Sequence, residues 1–381
     1  MKICIVHNDY GKFSGEEAVV RDHASLFHSR GCEVVEFRRS SAELRGLRGR
    51  ITGFICGIWN PCSVRRFGRF LDMEKPDVVH VHNLYPLINP AILAEAKKRG
   101  ICIVMTVHNF RLLCPSGLFA VDGVICEECA QRASIWPCLR KNCLHSRFKT
   151  LGYALRHWST IRHYMENVEV FLCLTDFQKQ KLVQYGIPEW RCRVLPNFID
   201  DAWLERAAAI PAADGGYVAY MGRFSEEKGI DLILDAARRL PHIPFRLAGN
   251  GTEAFRESAP ANVAFVGYVT GDEQIAFLRG ARIHLMASRC YENFPTSLLQ
   301  AMALGVPSVV PAGGPMADIV GDAGVAFAPG GLTSALEALY VDSAALRRHR
   351  EAALGRIGIY TAARYWDRYM QILNDGAPQD V

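Results

Sequence analysis

Nowhere in the 381 residues does an uninterrupted apolar run approach the about 18 residues that a membrane-spanning helix needs. The N-terminus has no signal-peptide layout. Met1-Lys2-Ile3-Cys4-Ile5-Val6 enters a strand pattern at once, so a cytoplasmic location is expected. No self-similarity at a period of about 20–50 residues marks a repeat array. No recognition motif accompanies the basic residues, so nucleic acid is not an expected partner. Gross disorder is excluded as well, since half the residues are apolar and only 22% are charged. Cysteine is plentiful, but its thirteen copies are odd in number and sit partly in apparent core strands (Cys4, Cys102, Cys173). That argues against a secreted disulfide framework.

Acidic residues are missing from two stretches. Leu44–Leu71 carries six Arg and Arg140–Met165 six Lys/Arg, each without an acid. Residues 1–200 hold 28 basic against 19 acidic residues, a net +9, while 201–381 hold 16 against 20, a net −4. Aromatics punctuate both basic stretches: Phe54, Trp59, Phe67 and Phe70 in the first, Phe148, Tyr153 and Trp158 in the second. A basic, aromatic-bearing surface suits an anionic membrane face or a phosphate-linked substrate. Two solvated helix faces would give the same pattern.

The length suits two domains of about 150–200 residues. Strand-like runs are Ile3–His7, Glu33–Phe37, Val78–His82, Ile101–Val107, Val168–Leu174 and Arg193–Leu195. The second half repeats the habit with Tyr217–Gly222, Phe245–Ala248, Val263–Val266, Ile283–Ala287, Ser308–Val310 and Val325–Ala328. Helical patterns such as Glu16–Ser29 and Pro90–Arg99 lie between them. Strands alternating with helices predict an α/β protein of two doubly wound, Rossmann-like domains, each with its ligand loops at the strand C-termini, toward a cleft. The expected division is 1–200, 201–360 and a helix with tail at 361–381, the junction falling in the Pro- and Gly-marked stretch 197–216.

The most informative stretch is Ser288-Arg289-Cys290-Tyr291-Glu292-Asn293-Phe294-Pro295-Thr296-Ser297-Leu298-Leu299-Gln300-Ala301-Met302-Ala303-Leu304-Gly305-Val306-Pro307. It reads as a strand end, a polar loop and a helix stopped by Gly305. Pro295 suits the first helical turn, and Ser297 with Gln300 has capping-box spacing. The free N–H groups of that helix would face a ligand beside Glu292, which is how proteins hold a diphosphate. Upstream, Gly222-Arg223-Phe224-Ser225-Glu226-Glu227-Lys228-Gly229 follows a strand. Its Arg offers a forked donor and its Lys a point charge against a pyrophosphate; the alternative is a salt bridge from Lys228 to Glu226 or Glu227.

These segments resemble the nucleotide-binding signature of retaining glycosyltransferases of family 4, which have the GT-B fold. The resemblance covers nearly the whole chain and is strongest from Tyr217 to Pro311. It implies a nucleoside diphosphate sugar donor, a glycan or lipid-linked acceptor, no metal for catalysis, and a last helix (Ala362–Leu373) that crosses back to the first domain. A role in cell-surface polysaccharide or glycolipid synthesis would follow, with peripheral association at the inner membrane face. The alternatives are a sugar-nucleotide epimerase of similar fold and a non-catalytic sugar-nucleotide-binding protein.

By the same resemblance, Glu292, His108, Arg223 and Lys228 are the catalytic candidates. Donor contacts fall on Gly15, Arg223, Lys228, Gly249, Asn250, Gly251, Tyr268, Val269, Asn293, Phe294, Pro295, Thr296, Ser297 and Gln300. Gln300 stands where the family has a second Glu. An amide oxygen accepts a ribose hydroxyl more weakly than a carboxylate, so the change should cost donor affinity and not chemistry. Thr106-Val107-His108-Asn109 matches the family's Thr-Val-His motif, and Ser14-Gly15-Glu16-Glu17 its Gly-Gly-x-Glu turn with Ser14 for one Gly. His82 and Asn83 are acceptor-side candidates.

Residues 114–143 form a cysteine-rich insert with Cys114, Cys126, Cys129, Cys138 and Cys143. Cys126 and Cys129 have zinc-knuckle spacing, and further thiolates could complete a closed, structural tetrahedron. Some members resembling this chain carry such a cluster in a Cys-Pro-x-Gly-Leu stretch like Cys114-Pro115-Ser116-Gly117-Leu118. That match implies Cys114, Cys126, Cys129 and Cys143 as ligands and Cys138 as the spare. Reduced free thiols or an iron–sulfur cluster are the alternatives.

Overall fold

The computed structural model describes residues 1–10, 15–211, 215–251 and 253–375, apart from the side chains of residues 47 and 50. Fourteen strands are present among them: β1 (Lys2–Asp9), β2 (Glu33–Ser40), β3 (Val78–Val81), β4 (Cys102–Val107), β5 (Ala120–Val121), β6 (Val124–Ile125), β7 (Val170–Cys173), β8 (Cys192–Val194), β9 (Tyr217–Met221), β10 (Phe245–Ala248), β11 (Val263–Gly267), β12 (Ala281–Leu285), β13 (Ser308–Pro311) and β14 (Gly324–Phe327). Every strand expected from the sequence is there, with its ends shifted by at most three residues. The β5–β6 hairpin was not anticipated, although its Asp122-Gly123 turn, with φ of 50° and 74°, carries the short-hairpin signal.

The chain forms two units. One comprises Met1–Val121, Cys126–Pro196 and the segment from Trp366; the other comprises Asp122–Ile125 and Asn197–Tyr365. The first contains a six-stranded sheet in the order β2-β1-β3-β4-β7-β8, and the second one in the order β11-β10-β9-β12-β13-β14. Both are wholly parallel. Central strands of such sheets are covered on both faces, which explains runs such as Ile3, Cys4, Ile5 and Val6, all fully buried.

Helices supply the covering layers. In Ile230–Arg239 the buried Ile230, Ile233, Leu234 and Ala237 repeat at three- and four-residue steps. They join Val218, Tyr220, Ile283, Leu285 and Val309 in the core of the second unit. The helix Ala362–Asp375 begins in the second unit and ends in the first. There its Tyr369 is completely buried, with its ring 4.9 Å from Phe27 and 5.4 Å from His80.

Candidate functional site

In the second unit the strand order reverses between β9 and β12, the place where an open parallel sheet leaves a crevice at its strand C-termini. The two sequence segments singled out above leave the sheet there. Gly229 brings them together: its φ is +69°, and a Cβ on it would lie 2.0 Å from the Ala287 carbonyl oxygen. Only glycine allows that approach. The Arg289 amide donates to the Glu227 carbonyl at 2.9 Å and ties the same two loops.

Lys228 consequently meets Glu292, to which its ammonium donates a hydrogen bond. Ser288 Oγ donates to the same Glu292 oxygen at 2.8 Å. Burial works against the charged Lys228, yet Glu292 and then Cys290 raise its pKa overall. Arg223 is exposed and pairs with Glu227. The alternative pairing of Lys228 with Glu226 or Glu227 does not form. Burial, and then Glu292, pushes the Cys290 thiol up to about 12, so it is no nucleophile.

The helix Thr296–Ala303 corrects one expectation. Pro295 is its N-cap rather than a first-turn residue, and no side chain caps it. Ser297 lies inside the helix, with Oγ 3.9 Å from Met286 Sδ, and Gln300 Oε1 accepts from Gln274 Nε2 at 3.0 Å. No capping box forms; the Leu298 amide donates to the Pro295 carbonyl at 3.2 Å, which leaves the Thr296 and Ser297 N–H groups for an anion. Next to them the Asn293 side chain is buried with neither polar atom hydrogen-bonded, an arrangement that costs stability until a partner arrives. Phe294 packs edge-on against Tyr360. The Gly249-Asn250-Gly251 loop sits against the Arg223 loop, with the Phe224 amide donating to the Asn250 carbonyl at 2.9 Å. Tyr268, at 53% exposure, presents a free aromatic face just before Val269.

In the first unit the order reverses between β1 and β3. Gly15 opens the helix Gly15–Ser29; Ser14 lies outside the described residues. His108, His82, Asn83, Glu16 and Arg111 line a pocket there. The Asn83 amide is engaged by the backbone of Asn8 and Tyr85. Tyr369, His80, His82 and His108 form one stack, with successive ring centroids 5.4, 4.5 and 5.1 Å apart. His82 Nδ1 and His108 Nε2 are 2.8 Å apart, so one proton is shared between them. His82 Nε2 is buried without a partner. A buried orphan acceptor is tolerated better than an orphan N–H, which puts the shared proton on His82 Nδ1 and leaves His108 with its own on Nδ1. Burial holds the His108 pKa down to about 3, so that N–H belongs to a neutral ring.

Donor atoms of His23, His80 and His82 lie within 4.8 Å of one another, as do those of His7, Asp9 and Glu17. The planes of His80 and His82 are only 17° apart and stacked, so their in-plane lone pairs do not converge on one ion. Asp9 is already held by Arg38 at 2.7 Å, and Glu17 accepts from the Tyr10 amide at 2.7 Å. Both groups read as packing.

The histidines have a consequence for stability. Burial lowers His7 to about 4 and His80 to about 3, and takes His23 and His82 well below the ordinary value. The unfolded chain then binds more protons, so stability is full above about pH 6.5 and falls as pH drops toward 4. Glu16, raised by burial, acts in the opposite sense. Each histidine should contribute a slope of at most about 1.4 kcal/mol per pH unit in that window. Urea midpoints measured from pH 7 to 5 should fall steadily, and less steeply in His23→Leu; a flat profile would contradict the burial.

In the cysteine insert, Cys129 is pushed up to about 12 by burial and by Cys114, Cys143 and Cys126 nearby. The Cys138 thiol hydrogen-bonds with Cys143, and that contact, then burial, raises its pKa. Cys126 Sγ lies 3.3 Å from the Lys141 ammonium. Among the described residues, no three of these sulfurs all lie within 4.8 Å of one another.

Sequence reasoning missed Arg111. The only signal was its place three residues after His108, in the loop that follows β4.

Comparison with known proteins bears on both units. Residues 13–203 match the family model described as Glycosyltransferase Family 4, and residues 215–342 the one described as Glycosyl transferases group 1. A glycogen synthase of Mycobacterium tuberculosis is 27% identical over 299 residues, covering 74% of this chain and 64% of that protein. The chain thus spans less than two thirds of that relative. An Anabaena protein crystallised with UDP-glucose superposes with a TM-score of 0.66 at 14% identity, over 98% of this chain and all of the other. WaaG, a glycosyltransferase involved in lipopolysaccharide biosynthesis, gives 0.65 at 16% identity over 98% of this chain and all of that one. These likenesses show the fold, GT-B with two Rossmann-like units.

Proposed function

The chain belongs to glycosyltransferase family 4, and on that premise we propose that it is a retaining transferase using a nucleoside diphosphate sugar. The acceptor is a hydroxyl on a glycan or lipid-linked saccharide, in the assembly of a cell-surface polysaccharide or glycolipid. The Lys228–Glu292 pair at the strand reversal, beside an uncapped helix N-terminus, carries this reading.

Without donor, both cations rest on carboxylates, Lys228 on Glu292 and Arg223 on Glu227. A diphosphate offers each a dianionic partner. Its charge grows as the glycosidic bond breaks, so these cations and the Thr296 helix end stabilise the transition state more than the ground state. Positive charge at the leaving group comes from side chains, and the scheme calls for no catalytic metal. Moving Lys228 frees the Glu292 carboxylate for sugar hydroxyls, and Asn293 gains the partners it lacks. Gln300 would take the ribose diol and Tyr268 the base. In the first unit, His108 offers a neutral N–H to a hydroxyl. Retention follows the family scheme of front-face return, with the diphosphate helping to deprotonate the acceptor. Calorimetric titration with a panel of nucleoside diphosphates tests the donor site; binding of none of them would overturn it.

We also propose peripheral membrane binding. No described helix is long and apolar enough to cross a membrane. The helices Gly46–Ile58 and Arg147–Asn167 instead expose Ile51, Ile55, Phe148 and Trp158, and Phe54 stacks on Phe148. Phe67 does not belong to this face, being fully buried against Phe37. The exposed Arg65, Arg66 and Arg69 add charge. Flotation on anionic vesicles should succeed at low salt, weaken with added salt, and fail in Phe148→Ser/Trp158→Ser. Wild type left at the bottom of the gradient at low salt would contradict it.

The zinc proposal rests on four cysteines, Cys114, Cys126, Cys138 and Cys143, gathered around Cys129. Cys114, Cys126, Cys129 and Cys143 would hold the ion once Lys141 left Cys126, and the closed site would add folding free energy. Metal analysis should find about one zinc per chain, lost in Cys126→Ser and Cys129→Ser and kept in Cys138→Ser. Metal-free, fully active protein would show reduced thiols only.

A further inference from the structure

Gln300 is held from the neighbouring helix. Its Oε1 accepts from Gln274 Nε2 at 3.0 Å, which links the helix Thr296–Ala303 to the helix Gly271–Arg279. The same Gln274 nitrogen lies 3.6 Å from Met221 Sδ, at the C-terminal end of β9. That second contact fixes both amides. Reversing them would set two acceptors, Gln274 Oε1 and the Met221 sulfur, against each other. Gln300 Nε2 makes no hydrogen bond among the described residues. The acids next to Gln274 in sequence, Asp272 and Glu273, are exposed and stand on other faces of their helix.

The pair lies between two elements assigned to the donor. Gln274 follows Tyr268 by six residues, and Gln300 follows Thr296 by four, one helical turn or about 6 Å. Tyr268 is the proposed contact of the base and the Thr296 helix end that of the diphosphate. The pentose that joins base to diphosphate therefore passes Gln274 and Gln300.

A carboxylate in the place of Gln300 would accept both hydroxyls of a ribose through charge-assisted bonds. A pentose lacking one hydroxyl would leave part of that charge unserved, and a site built on such bonds rejects the analogue. Gln300 has no charge to serve, and Gln274 already takes one lone pair of its oxygen. The remaining lone pair and the open Nε2 can meet a ribose diol, yet the 3′ hydroxyl, common to ribose and 2′-deoxyribose, is enough. A missing 2′ hydroxyl leaves no buried charge unpaired, and the Met221 thioether is a soft, apolar neighbour for a bare C2′.

We propose, resting on the donor reading above, that the Gln274–Gln300 pair removes selection for the ribose 2′ hydroxyl, so that 2′-deoxyribonucleoside diphosphate sugars join the donor class of this protein. Gln274 is a positioning residue that acts through Gln300.

Calorimetric titration of the wild-type chain with base-matched pairs tests this: uridine and 2′-deoxyuridine diphosphate, and the same pairs for guanosine, adenosine and cytidine. For the base that binds, the two dissociation constants are expected to agree within about threefold. In Gln300→Glu the ribose form should be favoured by about tenfold or more, the effect of one charge-assisted bond. Gln274→Met returns the Gln300 oxygen to the ligand and should give an intermediate ratio, whereas loss of packing alone would weaken both pentoses equally. Thermal unfolding checks that each variant is folded. A wild-type preference for ribose of about tenfold or more, or an unchanged ratio in folded Gln300→Glu, would overturn the proposal and leave the donor site standing. Binding of no nucleoside diphosphate would overturn the donor reading, and the proposal with it.

Discussion

Arg223→Ala and Lys228→Ala are each expected to lower transfer by about 100-fold or more, the effect of losing one strong donor to developing charge. Their effects on stability should differ. Arg223 is 66% exposed at its side chain, so its pairing with Glu227 adds little and unfolding should barely change. Lys228 and Glu292 are 21% and 15% exposed, and removing the lysine leaves a half-buried carboxylate with Ser288 as its remaining close side-chain donor. A loss of about 1–3 kcal/mol is expected there. Steady-state turnover and urea unfolding on the same preparations separate the two effects. Near-normal turnover in both variants would remove the diphosphate clamp from the account.

The second large effect is structural. Gly249 has φ +143°, and a Cβ on it would lie 1.9 Å from the Gly222 carbonyl oxygen. That oxygen belongs to the backbone immediately before Arg223, so it cannot swing away as a side-chain end would. Gly249→Ala should therefore destabilise the second unit by about 3 kcal/mol or more and displace the Arg223 loop, lowering donor affinity with it. Gly267→Ala is the matched control. Its φ is +82°, yet nothing lies within 4 Å of the added Cβ, so only the left-handed backbone penalty of about 1–2 kcal/mol applies. Equal losses in the two variants would mean that close approach of the loops is not what Gly249 provides.

The sheets were legible because doubly covered parallel strands appear as uninterrupted apolar runs, and Ile3–Val6 or Val170–Cys173 can hardly be read otherwise. The phosphate-binding segments were legible too, since glycine, arginine and lysine at fixed spacing have few other uses. What escaped was pairing across the chain. Nothing near Lys228 in sequence says that its partner is Glu292 rather than Glu226 or Glu227; the choice is made by the β9–β12 neighbourhood. The capping box failed for a similar reason, because Gln300 finds Gln274 on the preceding helix, Gly271–Arg279. The histidine stack and the Arg111–Tyr10 contact were equally hidden. Their meaning depends on which loops share a sheet end and on burial, neither of which a local pattern carries.

The central claim is sugar transfer from a nucleoside diphosphate donor clamped by Arg223 and Lys228. The direct test incubates purified wild type and Lys228→Ala with a panel of nucleoside diphosphate sugars, with and without a lipid and glycan extract, and follows nucleoside diphosphate release. The account predicts release with one donor, dependence on the extract, and a loss of about 100-fold in the variant. Release of a free, altered sugar without any extract, or no release from any donor, would contradict it.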